Sequence, residues 1–151
     1  RIGNRMIKNN KEGKIIIMSS IAGIIPIPFL GVYCSTKSAI NTMATSLRRE
    51  LKTLNSKVKV VLIEPGAYKT GFNQVMIDDI DKNISSNSVF WKDKDKIYDN
   101  LTKIFNLVEK KELNSIVVKI IEAVESDNPK FKYRAPFFQK IFAKIYMLFS
   151  K

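Results

Sequence analysis

Ile15-Ile16-Ile17-Met18-Ser19-Ser20 is an apolar run ending in two hydroxyls, and Tyr33-Cys34-Ser35-Thr36-Lys37 begins thirteen residues after Ser20. The run is too uniformly apolar for a strand with one wet face and suits a parallel strand over 14–19 covered on both faces. A loop containing Gly23, Pro26, Pro28 and Gly31 separates it from the next element. That element is expected to be a helix over 32–54, because Ile40, Met43, Ala44, Leu47, Leu51 and Leu54 recur at three- and four-residue intervals. Val58-Lys59-Val60-Val61-Leu62-Ile63 then forms a second buried strand, stopped by Pro65-Gly66. A strand-helix-strand unit of this kind implies a parallel, right-handed crossover. The fold class is therefore α/β with a parallel sheet.

Chemistry concentrates where the first strand ends. Ser20 stands at the carboxyl end of a strand beside a helix that begins there, which is where open α/β sheets bind ligands. Four residues of helix advance the chain about 6 Å and slightly more than one turn, so Tyr33 and Lys37 project from one face. A fixed cation next to a phenol favours the phenolate and eases proton exchange at neutral pH. Tyr-x-x-x-Lys alone is also common on solvated helix faces. The strand-end serine and the loop before the helix are what set this copy apart.

These residues resemble the short-chain dehydrogenase/reductases. That family's strand-Ser-Ser…Tyr-x-x-x-Lys pattern appears as Ile15 to Ser20 followed by Tyr33 and Lys37. A further element follows the second strand as Pro65-Gly66-Ala67-Tyr68-Lys69-Thr70, similar to the family's Pro-Gly-x-x-x-Thr. The motifs cover roughly 14–70, and the likeness is looser beyond. Ser35-Thr36 replaces the more usual Ala-Ser, and Tyr68 stands where a small aliphatic residue is common. Tyr-x-x-x-x-x-x-Lys, the pattern of related enoyl reductases, is not what is written here.

The resemblance implies a Rossmann-like doubly wound parallel sheet and an NAD(P)-dependent oxidoreductase that interconverts an alcohol and a ketone or aldehyde. By the same resemblance, Tyr33 is the acid/base, and Lys37 favours its phenolate form and binds the nicotinamide ribose. Ser20 donates to the substrate oxygen, with Ser19 as the competing candidate. Pro65 and Gly66 let backbone approach the nicotinamide, while the Tyr68 main chain and Thr70 side chain contact its carboxamide. The cofactor is NAD or NADP, and the full-length form is expected to be a homo-oligomer acting on a small alcohol or carbonyl compound. Asn128-Pro129-Lys130-Phe131-Lys132-Tyr133 is similar to a tail element of members that act on lipophilic alcohols.

The chain has 151 residues and begins at Arg1. No Gly-x-x-x-Gly-x-Gly or Gly-x-Gly-x-x-Gly turn occurs among its six glycines. The expectation is thus the carboxyl-terminal portion of one domain, with the nucleotide-binding half and the family's catalytic Asn upstream. An isolated piece of this kind is expected to be inactive and to expose a strand edge beside 15–18.

Composition closes off other classes. There is no histidine, which removes Ser-His-Asp, Cys-His and most zinc arrangements from this segment, and no metal site is expected. The single Cys34 has no partner for a disulfide, and with no targeting or membrane-spanning segment the cytoplasm is the default compartment. A net charge of +12 raises the alternative of a noncatalytic relative or a basic module for nucleic acid or membranes. The lysines are scattered and no nucleic-acid signature accompanies them, so no nucleic-acid partner is expected.

The rest of the chain is coarser. The first ten residues suit the end of a helix. Residues 71–96 are polar and suit either a substrate lid or a mobile surface loop. The family resemblance implies the substrate-covering region, with Phe72, Met76 and Trp91, and also Val75 and Phe90, as lining candidates, and simple packing of these residues competes with that role. Helices are expected over 96–110 and 112–126, and a short strand over 131–134. Residues 136–151 suit an amphipathic helix, with Phe137, Phe138, Ile141, Phe142, Ile145, Leu148 and Phe149 on one face and Lys140 and Lys144 on another. Packing over the pocket or against a second subunit competes there with peripheral membrane contact.

Overall fold

The computed structural model of the chain describes residues 2–149. The readings that fall on Arg1, on the side chains of Lys144 and Phe149, and on residues 150–151 lie outside the described residues. The chain divides into two compact units, Arg1–Gly66 with Asn114–Lys151, and Ala67–Leu113.

The first unit is built on a three-stranded sheet in the order β1-β2-β3, with β1 at Gly13–Met18, β2 at Val58–Pro65 and β3 at Lys132–Ala135. Both pairings are parallel, Ile15 opposite Val60 and Glu64 opposite Arg134. Helix α1 (Ile2–Lys8) precedes β1, and α2 (Gly31–Thr53) makes the crossover from β1 to β2. Of the apolar period anticipated in the sequence, Ile40, Ala44, Leu47 and Leu51 do the packing, while Met43 and Leu54 lie at its margin and are exposed. Ala44 and Leu51 of α2 join Val58, Val60 and Leu62 of β2 in one core, with Met6, Ile7, Ile15, Ile17, Ile40, Leu47 and Phe131 against it. Val61 and Ile63, fully buried, alternate to the other side of β2.

The strands differ in cover. β2 is buried almost throughout, as expected of a central parallel strand. β1 is only half-buried, and Met18 is exposed. This departs from the expectation of cover on both faces, because β2 is the sole strand neighbour of β1 among the described residues. The edge anticipated beside 15–18 is present there.

Glu64 is the one charged side chain wholly inside the sheet, at 0% exposure. Its partner lies directly across the ladder: Arg134 Nε sits 2.5 Å from Glu64 Oε2, with Lys132 Nζ 4.0 Å from the other oxygen. Such a carboxylate persists in a core only because it is paired. Two helices complete this unit. Helix α5 (Asn114–Glu125) packs on β2 and β3, burying Ile116 and Ala123, and α6 (Phe137–Phe149) follows β3.

The second unit holds α3 (Phe72–Asn83) and α4 (Lys94–Val108). Residues 71–96 are therefore not one loop. Gly71 turns the chain at φ 83°, and a twelve-residue helix follows before a turn leads to a short 3-10 turn at Trp91–Asp93. The polar pair Asp78-Asp79 disguised a helix whose inward face, Asn73 and Ile77 with Ile80, itself includes a polar residue, so that the apolar period is short and broken. Ile77 is buried on α3, as are Ile97, Leu101 and Phe105 on α4. Polar clasps join the two: Asn73 donates to Glu109 at 2.7 Å, Gln74 donates to the Tyr98 hydroxyl, and Tyr98 donates to Asp78.

Candidate functional site

β1 ends at Met18, and its two following serines take separate jobs. Ser19 is buried; its amide donates to the Ile63 carbonyl of β2 at 2.8 Å and its hydroxyl to the Lys37 carbonyl of α2 at 3.2 Å. Ser20 is half-buried and caps the 3-10 turn Ile21–Gly23, accepting from the Ala22 amide at 3.1 Å. Its hydroxyl donates to the Pro65 carbonyl at 3.3 Å, a long bond that a better acceptor can replace. Ser19 is thus occupied inside the fold, whereas Ser20 keeps a partly exposed hydroxyl at the strand end.

Helix α2 starts at Gly31, so Tyr33 and Lys37 lie in its first two turns. Both are half-buried, and Lys37 Nζ lies 5.6 Å from the centre of the Tyr33 ring. That is within the range of a cation over an aromatic face. Cys34 is buried and faces the Ile25 carbonyl at 3.8 Å, which makes it a packing residue of the loop.

The 3-10 turn leans on α2 so closely that Gly23 has no room for a side chain. A Cβ there would stand 2.8 Å from the Lys37 carbonyl carbon and oxygen and 2.6 Å from Asn41 Nδ2. Asn41 is itself buried. Gly23 was read in the sequence only as a loop residue and Asn41 was passed over, although Asn41 continues the Tyr33, Lys37 spacing by another four residues.

Pro65 and Gly66 end β2 in the same unit, and Pro65 meets Ser20 through the bond above. Gly66 donates to the Ala135 carbonyl at 2.7 Å. A Cβ on it would collide with Pro136 Cδ at 2.9 Å and with Gln139 Oε1 at 2.0 Å. Close packing at the start of α6 thus accounts for this glycine without any ligand.

The remaining candidates belong to the second unit. Tyr68 is buried, bridges in parallel to Lys110, and gives its carbonyl to the Thr70 amide at 2.9 Å. Thr70 is exposed. Phe72 and Met76 lie on one face of α3, Phe72 exposed and Met76 half-buried. Trp91 is exposed, with Lys94 Nζ 5.3 Å over its ring.

Two protonation equilibria among the described residues are displaced, those of Tyr98 and Glu122. Donation to the Asp78 carboxylate holds the Tyr98 hydroxyl above the usual phenol range. A hydrogen bond from Lys119 holds Glu122 of α5 below the usual carboxylate range. The donor set of the first unit, a hydroxyl, a phenol and an ammonium, suits a ligand rich in hydroxyl and carbonyl oxygens. No group of His, Cys, Asp and Glu able to hold a metal occurs among the described residues.

The family model for short chain dehydrogenase matches residues 2–81, which is more than half of the chain. The chain belongs to the short-chain dehydrogenase/reductase family. Among the relatives of this dehydrogenase-family chain is a 3-ketodihydrosphingosine reductase of Bacteroides thetaiotaomicron, 30% identical, covering 89% of this chain and 48% of that protein. An NADPH-dependent 3-dehydrocapnine reductase of Ornithobacterium rhinotracheale is 36% identical, over 81% of this chain and 41% of its own length. The chain spans about half the length of the curated relatives it matches. A short chain dehydrogenase/reductase of Burkholderia phymatum, solved in complex with NAD, superimposes with a TM-score of 0.70. That match has 16% identity and covers 95% of this chain and 50% of that one, a likeness of fold. The architecture is the Rossmann-like α/β fold of the family.

Proposed function

We propose that the protein is an NAD(P)-dependent oxidoreductase that interconverts an alcohol and a ketone or aldehyde, with a lipophilic substrate. The observation that carries this reading is Lys37 Nζ held 5.6 Å from the Tyr33 ring centre at the start of the helix that follows Ser20. A nicotinamide bound here would supply the hydride for reduction of the carbonyl carbon. Tyr33 gives its phenolic proton to the carbonyl oxygen, and in oxidation takes the hydroxyl proton back. Lys37 is assigned to the ribose hydroxyls, to which its ammonium donates. Ser20 releases the Pro65 carbonyl and donates to the substrate oxygen, opposing the negative charge that develops there. Pro65, Gly66, the Tyr68 main chain and Thr70 are assigned to the nicotinamide end of the cofactor. Phe72, Met76 and Trp91 are assigned to the substrate cover, now as parts of a helix and a turn.

The two named reductases above support a ketone on a long-chain compound as the substrate class. The test is consumption of NADH and NADPH by the natural protein, offered a long-chain 3-keto amine and, beside it, a short aliphatic ketone. Faster turnover of the long-chain ketone with either cofactor is expected. No turnover of any ketone or alcohol with either cofactor contradicts the proposal.

A further inference from the structure

Helix α6 is packed the wrong way round for an ordinary amphipathic helix. Its contacts are with β3 and the 3-10 turn at Ile21–Gly23, and among its described side chains the one buried completely is small: Ala143, at 0% exposure. At about 100° per residue, Phe137, Phe138, Ile141, Phe142, Ile145 and Leu148 fall within an arc of roughly 140° opposite Ala143. All six are between 37% and 78% exposed. An apolar stripe of this width ordinarily faces a core.

The charge of the surrounding chain selects among possible covers. From Asn128 to Lys151 there is no Asp or Glu, against six Lys and Arg residues. Lys130, Lys132 and Arg134 pair with Glu122 and Glu64, while α6 itself carries Lys140 and Lys144 and no acid. A second copy would bring the same excess of positive charge to the contact, and like charges oppose one another. An anionic surface complements it. No helix among the described residues is long and apolar enough to cross a membrane, and α6 has thirteen residues, about 20 Å of helix. Its geometry suits lying in the headgroup layer rather than spanning it.

We infer that α6 is an interfacial helix that docks the protein on an anionic lipid bilayer, with its aromatic arc among the acyl chains. The inference rests on exposure and charge and is independent of the reaction proposed above. The chemistry of the occupant is a phosphate-bearing bilayer surface, with the apolar contact supplying affinity and the cations supplying preference.

The experiment is co-sedimentation of the natural protein with vesicles of phosphatidylcholine alone or containing about one-third phosphatidylglycerol, at low and high salt. The double variant Phe138→Glu, Phe142→Glu runs beside it. Both sites are exposed, and a thermal melt checks that the fold is kept. Binding to the phosphatidylglycerol vesicles, weakened by salt and reduced at least about tenfold in the variant, is expected. A Phe138→Trp variant gives a second reading: its added emission should be quenched by brominated lipid. Absence of binding at low salt, equal binding of the double variant, or no quenching of Trp at that position overturns the inference. A change from dimer to monomer in the double variant, without vesicle binding by the natural protein, would assign the face to a second copy instead.

Discussion

The Ser19 hydroxyl donates to the main-chain carbonyl of Lys37 at 3.2 Å, tying the end of β1 to the helical turn that presents Tyr33 and Lys37. Adjacent serines are thereby separated in function by burial and not by sequence. Ser19→Ala should lower unfolding free energy by roughly 1 kcal/mol, the loss of one part-buried hydrogen bond. Ser20→Ala, which loses the cap of the 3-10 turn and the long bond to Pro65, should cost a comparable amount of stability and reduce turnover more than Ser19→Ala does. Urea melts and turnover on the same two variants check this, and the reverse order of effects on turnover would exchange their roles.

Gly23 is a second point of contact between the strand end and α2. Its missing Cβ would meet the Lys37 carbonyl at 2.8 Å, and a helical carbonyl has no freedom to retreat. Gly23→Ala is expected to cost about 1–3 kcal/mol through overpacking. Gly31, at the start of α2, has nothing within 4 Å of its would-be Cβ. Gly31→Ala should be neutral or gain up to about 1 kcal/mol from the stiffer unfolded chain. Equal melting midpoints for the two variants would show that the turn does not press on the helix as described.

Arg134 holds the buried carboxylate of Glu64 across β2 and β3. Arg134→Met should destabilise the protein by about 3–5 kcal/mol, toward the lower figure because Lys132 remains near. Adding Glu64→Leu should restore a substantial part, since no buried charge is then left without its partner. Chemical denaturation of the single and double variants decides the point: a double variant less stable than the single would mean the pair itself is the favourable term.

Much of this was legible in the sequence. The strand-helix-strand order, the parallel pairing and the positions of Ser20, Tyr33 and Lys37 follow from long, strongly periodic segments whose pattern leaves few alternatives. The second unit was harder to read, because α3 carries Asp78-Asp79 in a short, mixed stretch where polarity masked the helical period. Burial was the other gap. That Ile15-Ile16-Ile17 is only half-covered depends on which neighbours β1 has, and that Glu64 is fully enclosed depends on Arg134 arriving seventy residues later. Gly66 shows the limit of motif reading. Its place in Pro-Gly-x-x-x-Thr pointed to a cofactor, while the contacts with Pro136 and Gln139 supply a packing reason that no local pattern contains.

The central claim is that Tyr33, with Lys37 beside it, exchanges the proton of the reaction. Its most direct test is the turnover of the natural protein and of Tyr33→Phe on the same ketone, with cofactor affinity measured on both samples. The phenyl ring keeps its place beneath the Lys37 ammonium, so fold and cofactor affinity should change little. Turnover should fall at least about a hundredfold, the low end of what a positioned proton donor contributes. Turnover near that of the natural protein, on a substrate shown to react, would contradict the assignment.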